Sequence, residues 1–287
     1  MSLTFCSDLR ESPVRRRSFF QEAQRTFGLS FQPWFQAGYW GDRYLPQAFL
    51  DGDQVVANLS LNRMDTVRHG RSRQYLQLGT FFVRPDHRGQ GLGRLLLERV
   101  LAEWTDQCDA IYLFANRTVR TLYPKFGFVQ TPEYEFVCPV HSKPSRLRRL
   151  DLSVPADLEL LHTCYRRSNP YAQLPMQNNF DLLMFYCLGE LGRCVWYLED
   201  FHLVAIADPT ASPLICYDLY GERRVPLQTV LSALAPAGVA EAKLGFSPLE
   251  PFGTLTALEG DDTLFFYSGK ENPFWEQPLM FPLLSHA

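Results

Sequence analysis

The order of apolar and polar residues in the first half of the chain predicts three strands. Residues 47–50 and 54–64 are mainly apolar, and the turn Asp51-Gly52-Asp53 separates them. Asp-Gly between two apolar runs is a strong signal for a β-hairpin. A polar turn at residues 69–72 then leads into residues 75–83, which are again mainly apolar and aromatic. We expect these segments to form antiparallel strands.

The spacing changes after the third strand and predicts a helix followed by a buried strand. Leu97, Val100, Leu101 and Trp104 fall at i, i+3, i+4 and i+7, so they share one face of a helix. Residues 110–115 (AIYLFA) are wholly apolar, as expected for a central strand covered on both faces. Strand, helix and buried strand in this order form a βαβ crossover. We therefore predict an α+β fold whose mixed sheet contains one parallel pair.

The same order of elements recurs after residue 150, although the residues themselves do not visibly match. Residues 141–145 are polar and contain a proline, which is typical of a linker. We predict a first domain at residues 1–140, a linker at 141–150 and a second, duplicated domain at 151–287. The second domain is expected to hold helices at 156–165, 178–188 and 227–235 and strands at 195–198, 203–207 and 214–220.

The composition is that of a globular protein, with 287 residues of which 46% are hydrophobic and 21% charged. No apolar run approaches the ~18 residues that cross a bilayer. Residues 1–17 also lack the apolar stretch of a secretory signal. The seven cysteines form no CxxC pair and the six histidines no HExxH motif. We therefore expect a cytoplasmic protein with reduced thiols and no metal.

The net charge of −3 hides an uneven distribution along the chain. Residues 1–150 hold 21 Lys and Arg against 14 Asp and Glu, whereas residues 151–287 hold 7 against 17. The basic half could attract a polyanion, but attraction between two oppositely charged halves explains the pattern equally well. Nucleic acid is disfavoured because the arginines are dispersed and are not interleaved with aromatic residues.

The segment with the clearest chemistry joins the strand at 75–83 to the helix that follows. It reads Arg88-Gly89-Gln90-Gly91-Leu92-Gly93-Arg94, with glycines at alternate positions. Glycine lets main-chain N–H groups turn outward, and together with the positive end of a helix they form a site for phosphate oxygens. A glycine-rich turn that only caps the helix is the alternative. The spacing fits neither a Walker A loop nor a G-x-G-x-x-G dinucleotide fingerprint.

Two motifs in the correct order resemble the GCN5-related N-acetyltransferase (GNAT) superfamily. The acyl-CoA loop of that family has the pattern [QR]-x-x-G-x-[GA], which residues 88–93 match as RGQGLG. The family pattern N-x-x-[AV]-x-x-[LF]-Y-x-K-x-G-F is similar to residues 116–128, NRTVRTLYPKFGF. The resemblance implies the GNAT-like acyl-CoA N-acyltransferase fold. For the second half of the chain the resemblance rests on the order of the elements alone. It implies two copies of the fold in tandem, of which the second is degenerate and lacks the glycine loop.

The resemblance also implies where acetyl-CoA binds, namely in the gap between the strands at 75–83 and 110–115. Main-chain groups around Phe82 and Val83 would pair with the pantetheine amides, and Asn116 would hydrogen-bond the same arm. Tyr123 would lie near the sulfur as general acid; core packing of Tyr123 and a capping role for Asn116 are the alternatives. The pyrophosphate would be held by the amides of Arg88, Gly89, Gln90, Gly91, Leu92, Gly93 and Arg94.

A general base is not evident from the sequence. Family members often carry a carboxylate on the strand before the loop, whereas here this strand has no acid and Gln77 cannot accept a proton. His87, Asp65 and the C-terminal carboxylate stay open as candidates, and a weakly basic acceptor would need no base.

These features predict an acetyl-CoA-dependent N-acetyltransferase whose acceptor is a small-molecule or peptide amine. The acidic second half would suit a cationic acceptor such as a polyamine, an aminoglycoside-like compound or a basic peptide, although an acidic solvated surface also explains the charge. The alternative function is a non-catalytic acyl-CoA-binding or sensing module. No nucleic acid, membrane or metal is expected as a partner or cofactor, and a homodimer is left open.

Overall fold

Two β-sheets organise the chain, and the computed structural model describes them over residues 3–250 and 252–287. Residues 1 and 2, at the start of the predicted first domain, lie outside the described residues. Strands β1 to β7 are Thr4–Cys6, Tyr44–Asp51, Gln54–Arg68, Arg71–Val83, Ala110–Ala115, Phe128–Thr131 and Tyr134–Pro139. Strands β8 to β15 are Leu147–Arg149, Met176–Gln177, Val195–Leu198, Leu203–Asp208, Leu214–Gly221, Glu241–Leu244, Thr254–Ala257 and Thr263–Tyr267.

Six α-helices connect these strands, and no helix in the described part of the chain is both long and apolar enough to cross a membrane. The first, α1, begins earlier than its apolar residues alone would place it. Its start is marked by Ser12, whose side chain accepts a hydrogen bond from the N–H of Arg15, and by a proline at the first helical position. The helices α1 to α6 are Pro13–Phe27, Gln32–Gln36, Leu92–Trp104, Pro155–Tyr165, Phe180–Cys187 and Leu227–Leu234.

The two sheets have equivalent topologies. The first has the order β1-β2-β3-β4-β5-β15-β6, with the short β9 paired to β3. The second has the order β8-β10-β11-β12-β13-β7-β14. Each sheet contains antiparallel strands and one parallel pair, which is β4 with β5 in the first and β12 with β13 in the second. This repeat confirms the α+β fold class and agrees with two copies in tandem.

The two halves of the chain exchange one strand each. β7 follows β6 after a two-residue turn, yet it pairs with β13 and β14 in the second sheet. In return, β15 lies between β5 and β6 of the first sheet and is antiparallel to both. The predicted linker at residues 141–150 contains β8, which pairs with β10 at the edge of the second sheet. Each sheet is therefore completed by the other half, and the domain bounds stay a prediction.

The crossover β4-α3-β5 forms as the apolar pattern predicts. Every residue of β5 except Phe114 is buried, because the sheet is covered on both faces here. α3 begins at Leu92, directly after Gly91, whose φ of 78° ends the preceding loop. The helix buries Leu92, Leu96, Leu97 and Val100. These side chains belong to one core cluster with leucines of β3, β4 and β5, so α3 is packed directly on the sheet.

The last residues of the chain contact both sheets. β12 and β13 pair over only three residues of each strand, which leaves a gap beyond them. The N–H of Leu283 donates to the carbonyl of Gly245 at 2.8 Å. The N–H of Phe281 donates to the Glu133 carboxylate at 3.0 Å. Residues 279–287, called the C-terminal segment below, are thus held between the two sheets.

Candidate active site

The parallel strands β4 and β5 separate where the sequence predicts the acyl-CoA gap. Their pairing begins at Tyr75 with Ala110 and ends at Leu78 with Leu113. The last five residues of β4, 79–83, therefore have no strand beside them on the β5 side. An open strand edge of this kind presents main-chain donors and acceptors to an extended ligand.

A bulge shapes β4 beside this gap. Thr80 has a φ of 44°, and the register of β4 against β3 shifts at this point. The hydroxyl of Tyr44 bonds the hydroxyl of Thr80 at 2.9 Å. The amide of Asn58 donates to the carbonyl of Thr80 at 2.8 Å. Because a β-branched residue is strained in the left-handed region, these two bonds hold a main-chain shape that would otherwise relax.

A cavity of about 340 Å³ lies where β4 and β5 diverge, within the size range of small-ligand sites. β4 contributes Gly79, Thr80 and Phe81 to its wall, and the segment after β5 contributes Asn116 and Tyr123. The second half of the chain supplies the opposite wall from α5 and the C-terminal segment, through Asn179, Asp181, Leu182, Phe185, Tyr186, His286 and Ala287. Both halves therefore build one cavity.

Tyr123 combines a packed ring with a hydroxyl at the cavity. The residue is 5% exposed, and its ring centroid lies 6.0 Å from that of Phe128 and 5.9 Å from that of Phe265. No described residue hydrogen-bonds its hydroxyl, and the residue lines the cavity. Burial raises the pKa of the phenol above its usual value, so it keeps its proton at neutral pH. The ring of Tyr123 is therefore part of the core, while its hydroxyl is a protonated group at the cavity.

Asn116 closes a turn directly after β5 and also lines the cavity. Its Oδ1 accepts hydrogen bonds from the N–H and the hydroxyl of Thr118, at 3.1 and 2.6 Å. This is the local capping role that the sequence left as the alternative. Because Oδ1 is engaged, the Nδ2 amide is the group that this side chain can offer to a ligand carbonyl.

The glycine loop has the geometry of an anion site. Gly89 and Gly91 have φ values of 77° and 78°, in the region that favours glycine. Among the described residues no side chain caps α3, and its first turn holds no acid. The N–H groups of that turn lack intrahelical partners and can bind an anion together with the helix dipole.

The remaining loop residues set the position and charge of this site. Arg88 donates from Nε to the carbonyl of Val83 at 3.2 Å, which fixes it beside the loop. Arg94 is exposed and pairs with Glu98 at 2.7 Å. Gly93 allows close packing, since an added Cβ would lie 3.0 Å from the ring of Phe81.

The cofactor-binding residues predicted on β4 lie between the cavity and the loop. Phe82 is 5% exposed and packs into the aromatic core beneath α1. Phe82 and Val83 follow Phe81, the last residue of β4 in the cavity wall, and precede the loop at 88–94. A ligand that runs from the cavity to the N-terminus of α3 would therefore pass along the main chain of these two residues.

Of the three candidates for a general base, one lies in the cavity wall. His87 and Asp65 are not among the residues that line it, and Asp65 is ion-paired with Arg43 at 2.7 Å. Ala287 does line the cavity, with its main-chain oxygen against Gly79. The identity of the base stays a prediction.

Sequence reasoning missed the residues that the second half adds to the site. His286 stacks on Phe114, with ring centroids 3.8 Å apart, and burial lowers its pKa to about 4, so its imidazole is neutral at neutral pH. Tyr186 donates its hydroxyl to the carbonyl of His286 at 2.6 Å. Asp181 is the one acid of α5, and burial raises its pKa. The one sequence signal for this cavity wall was the presence of an acid, Asp181, in the otherwise apolar run FDLLMFYC of α5.

In the described part of the second sheet, the glycine loop and the open gap of the first sheet have no equivalent. The strand-to-helix junction of the second sheet, residues 221–226, contains one glycine. The gap beside β12 is crossed by other parts of the chain, since Leu283 bonds Gly245 and the N–H of Leu249 donates to the carbonyl of Tyr171 at 2.7 Å. In the residues that the structure describes, no group of His, Cys, Asp and Glu side chains could hold a metal ion.

Comparison with known proteins agrees with this architecture. Residues 48–130 match the model of the acetyltransferase (GNAT) domain family. No curated protein is similar in sequence to the chain. A conserved protein of Enterococcus faecalis V583 has a similar structure, with a TM-score of 0.62 and 13% identity over 93% of this chain and 73% of that one.

Two further structures share the fold over most of the chain. A GCN5-related N-acetyltransferase of Kribbella flavida has a TM-score of 0.58 and 17% identity, over 92% of this chain and 71% of that one. A GCN5-related N-acetyltransferase of Anabaena variabilis has a TM-score of 0.59 and 15% identity, over 92% of this chain and 72% of that one. Together with the glycine loop and the divergent strands β4 and β5, these findings show that residues 48–130 form an acetyltransferase (GNAT) domain and that the chain shares the fold of N-acyltransferases.

Proposed function

We propose that the protein transfers the acetyl group of acetyl-CoA to a primary amine by direct attack. The observation that carries this proposal is the continuous path from the free N-terminus of α3, along the open edge of β4, to the cavity that holds Tyr123. An acyl-CoA needs these three features in this order: a phosphate site, an extended-chain site and a site for the thioester.

The residues present fit acetyl-CoA on both polar parts of the molecule. Gly89 and Gly91 expose main-chain N–H groups beside the uncapped helix α3, which suits a pyrophosphate. The main chain at Phe82 and Val83 and the Nδ2 amide of Asn116 suit the pantetheine amides. Acetyl-CoA would bring an activated acyl carbon to the cavity, and the protein would bind and orient it.

Transfer requires one new bond, one broken bond and two proton movements. The amine nitrogen bonds the acetyl carbon, and the carbon–sulfur bond breaks. The nitrogen loses a proton to a base, and the sulfur takes up the proton of the Tyr123 hydroxyl. Because burial raises the pKa of Tyr123, the phenol is protonated at neutral pH, and its proton is replaced from solvent to complete the cycle.

A transfer assay with chemically different acceptors tests the proposal. Acetyl-CoA is supplied with a panel of amines, alcohols and thiols, release of free CoA thiol is followed, and acetylated products are identified by mass spectrometry. We expect turnover on amines and none on the matched alcohols. Binding of acetyl-CoA without turnover on any amine would instead support the non-catalytic acyl-CoA-binding module.

We also expect one acetyl-CoA site for each chain, located in the first half. The glycine loop has no counterpart at residues 221–226, and the chain itself crosses the gap of the second sheet. Isothermal titration calorimetry with acetyl-CoA should give a stoichiometry of one. Two equivalent sites per chain would contradict the assignment.

The variant Gly91→Val should weaken acetyl-CoA binding by at least about 10-fold. A branched residue at a φ of 78° is strained by about 1–2 kcal/mol or more, and its side chain would stand at the approach to the α3 amides. Calorimetry measures the affinity.

Gly70→Val is the matched control for Gly91→Val. Gly70 also has a left-handed φ, of 73°, and an added Cβ meets nothing within 4 Å at either glycine. Gly70 lies in the turn between β3 and β4, and neither it nor its two neighbours line the cavity. The control should lose comparable stability and keep its affinity. Equal affinities for a folded Gly91→Val protein and the wild type would exclude the loop from acetyl-CoA binding.

A further inference from the structure

The wall opposite β4 carries one carboxylate that the proposed transfer does not use. Asp181 lies in the first turn of α5, two residues after Asn179, whose side chain caps this helix by accepting from the N–H of Leu182. The main-chain carbonyl of Asp181 accepts a hydrogen bond from the indole of Trp34 at 2.6 Å. These two contacts fix the start of α5 against the first half of the chain.

The carboxylate of Asp181 has no partner in the described part of the chain. Arg43 lines the same cavity, but its guanidinium is bonded to Asp65 at 2.7 Å and to the carbonyl of Arg63 at 3.2 Å. Asp42, which lies outside the cavity, is exposed and pairs with Arg10 at 3.1 Å. Asp262 is the other aspartate in the cavity lining, and it is exposed to solvent. A half-buried carboxylate without a cation is unfavourable, and burial raises its pKa accordingly. A cationic ligand would remove that penalty.

Aromatic side chains form much of the remaining cavity wall. Phe31, Trp34, Tyr44, Phe81, Phe114 and Phe185 contribute to it, beside polar side chains such as Asn62 and Gln77. Aromatic walls bury the apolar body of a ligand and attract cations through their π faces.

Asp181 and Tyr123 belong to different walls of the cavity. Tyr123 follows β5 in the first half and packs against Phe128 and Phe265, whereas Asp181 comes from the second half and lies against Gly41. Asp181 also borders a second, polar groove with Arg166 and Asn178, so it stands at the boundary between the cavity and a route to solvent. A ligand that contacts both residues carries two polar ends.

We infer that the acceptor is a compact diamine with an apolar or aromatic body, whose non-reacting cationic group is bound by Asp181 while the other amine faces Tyr123. This inference rests on the proposed acetyl transfer and specifies the substrate class of the same cavity. Among the cationic acceptors that the acidic second half left open, it specifies a small diamine.

Matched pairs of amines test the inference. Wild-type protein is assayed for kcat/KM with p-xylylenediamine against 4-methylbenzylamine, and with 1,6-diaminohexane against hexylamine. We expect each diamine to exceed its monoamine by about 10- to 100-fold, beyond the twofold statistical advantage of two equivalent amines. In Asp181→Asn the preference should fall to within about threefold, through loss on the diamines alone.

Two further variants separate the carboxylate contact from other causes. Gly41→Ala keeps all charges, but the new Cβ would meet the carboxylate of Asp181 and displace it, so the diamine preference should fall as well. Asp42→Asn removes a neighbouring negative charge outside the cavity and should leave the preference unchanged.

The outcomes distinguish this inference from the proposed function. Turnover of monoamines and diamines at equal rates, unaffected by Asp181→Asn, would overturn the diamine assignment and leave acetyl transfer intact. A loss of preference in Asp42→Asn as large as in Asp181→Asn would also overturn it, since general charge attraction would then suffice. Absence of turnover on every amine would refute the proposed function itself.

Discussion

Replacing Tyr123 with Phe should lower kcat by roughly 10²- to 10⁴-fold while the affinity for acetyl-CoA changes by less than about twofold. The substitution removes one oxygen atom, which no described residue hydrogen-bonds. The ring that packs against Phe81, Phe128 and Phe265 remains. The variant should therefore fold normally but lack the proton donor for the departing sulfur. Steady-state kinetics on a turned-over amine and calorimetry with acetyl-CoA measure the two quantities.

Tyr112→Phe is the matched control for this experiment. Tyr112 is a fully buried tyrosine on β5 and is not part of the cavity lining. Its variant should keep kcat within a few fold, whatever its effect on the melting temperature. If Tyr123→Phe also stayed within a few fold of the wild type, the hydroxyl would have no role as acid, and the packing alternative would be the whole explanation for this tyrosine.

The part of the candidate site built by β4, the glycine loop, α3 and β5 was predictable because its determinants are local in sequence. The bend of the loop depends on the glycines at 89 and 91. The helix that follows depends on the spacing of its leucines, and the burial of β5 depends on its apolar run. Short-range patterns of this kind act through backbone sterics and helix periodicity, which the sequence displays directly. Structure and sequence accordingly agree on β4, α3 and β5 within a few residues at their ends.

The cavity wall supplied by the second half was not predictable because it depends on contacts between distant segments. Asp181 reaches the cavity through the packing of α5 on Trp34, 147 positions earlier in the chain. His286 reaches it because the C-terminal segment is held by Glu133 and Gly245. Neither contact leaves a periodic signal, since each depends on how the two sheets sit together. The charge of the second half was compatible with a cationic acceptor and equally with an acidic solvated surface, and no pattern singled out Asp181.

The exchange of β7 and β15 is the feature of the fold that local sequence patterns predict least. The two strands occupy equivalent places in equivalent sheets, so element order alone assigns each to its own half. The side chains explain the observed choice. β15 has three consecutive buried residues, Leu264, Phe265 and Phe266, as a central strand covered on both faces requires. β7 carries Glu135, which is ion-paired with Lys243 on the neighbouring strand β13.

A fragment that ends at residue 140 should consequently fail to fold. Without β15, both β5 and β6 lose the strand between them, and the ring of Phe265 leaves the core beside Tyr123. Removal of one such buried phenylalanine costs about 3–5 kcal/mol, and here a whole strand is absent. That loss is comparable with the total stability of a typical domain. Circular dichroism during heating should show no cooperative transition for the fragment.

Joining residues 258–270 to the same fragment through a flexible linker should restore cooperative unfolding and acetyl-CoA binding. The strand can then pair with β5 and β6 in its native register, for example Phe265 with Leu113 and with Gln130. A cooperative transition in the unextended fragment would mean that β7 can take the place of β15. That result would require burial of Glu135 between β5 and β6, which is expensive for a carboxylate without its Lys243 partner. The extended fragment should therefore be the only one of the two that binds acetyl-CoA.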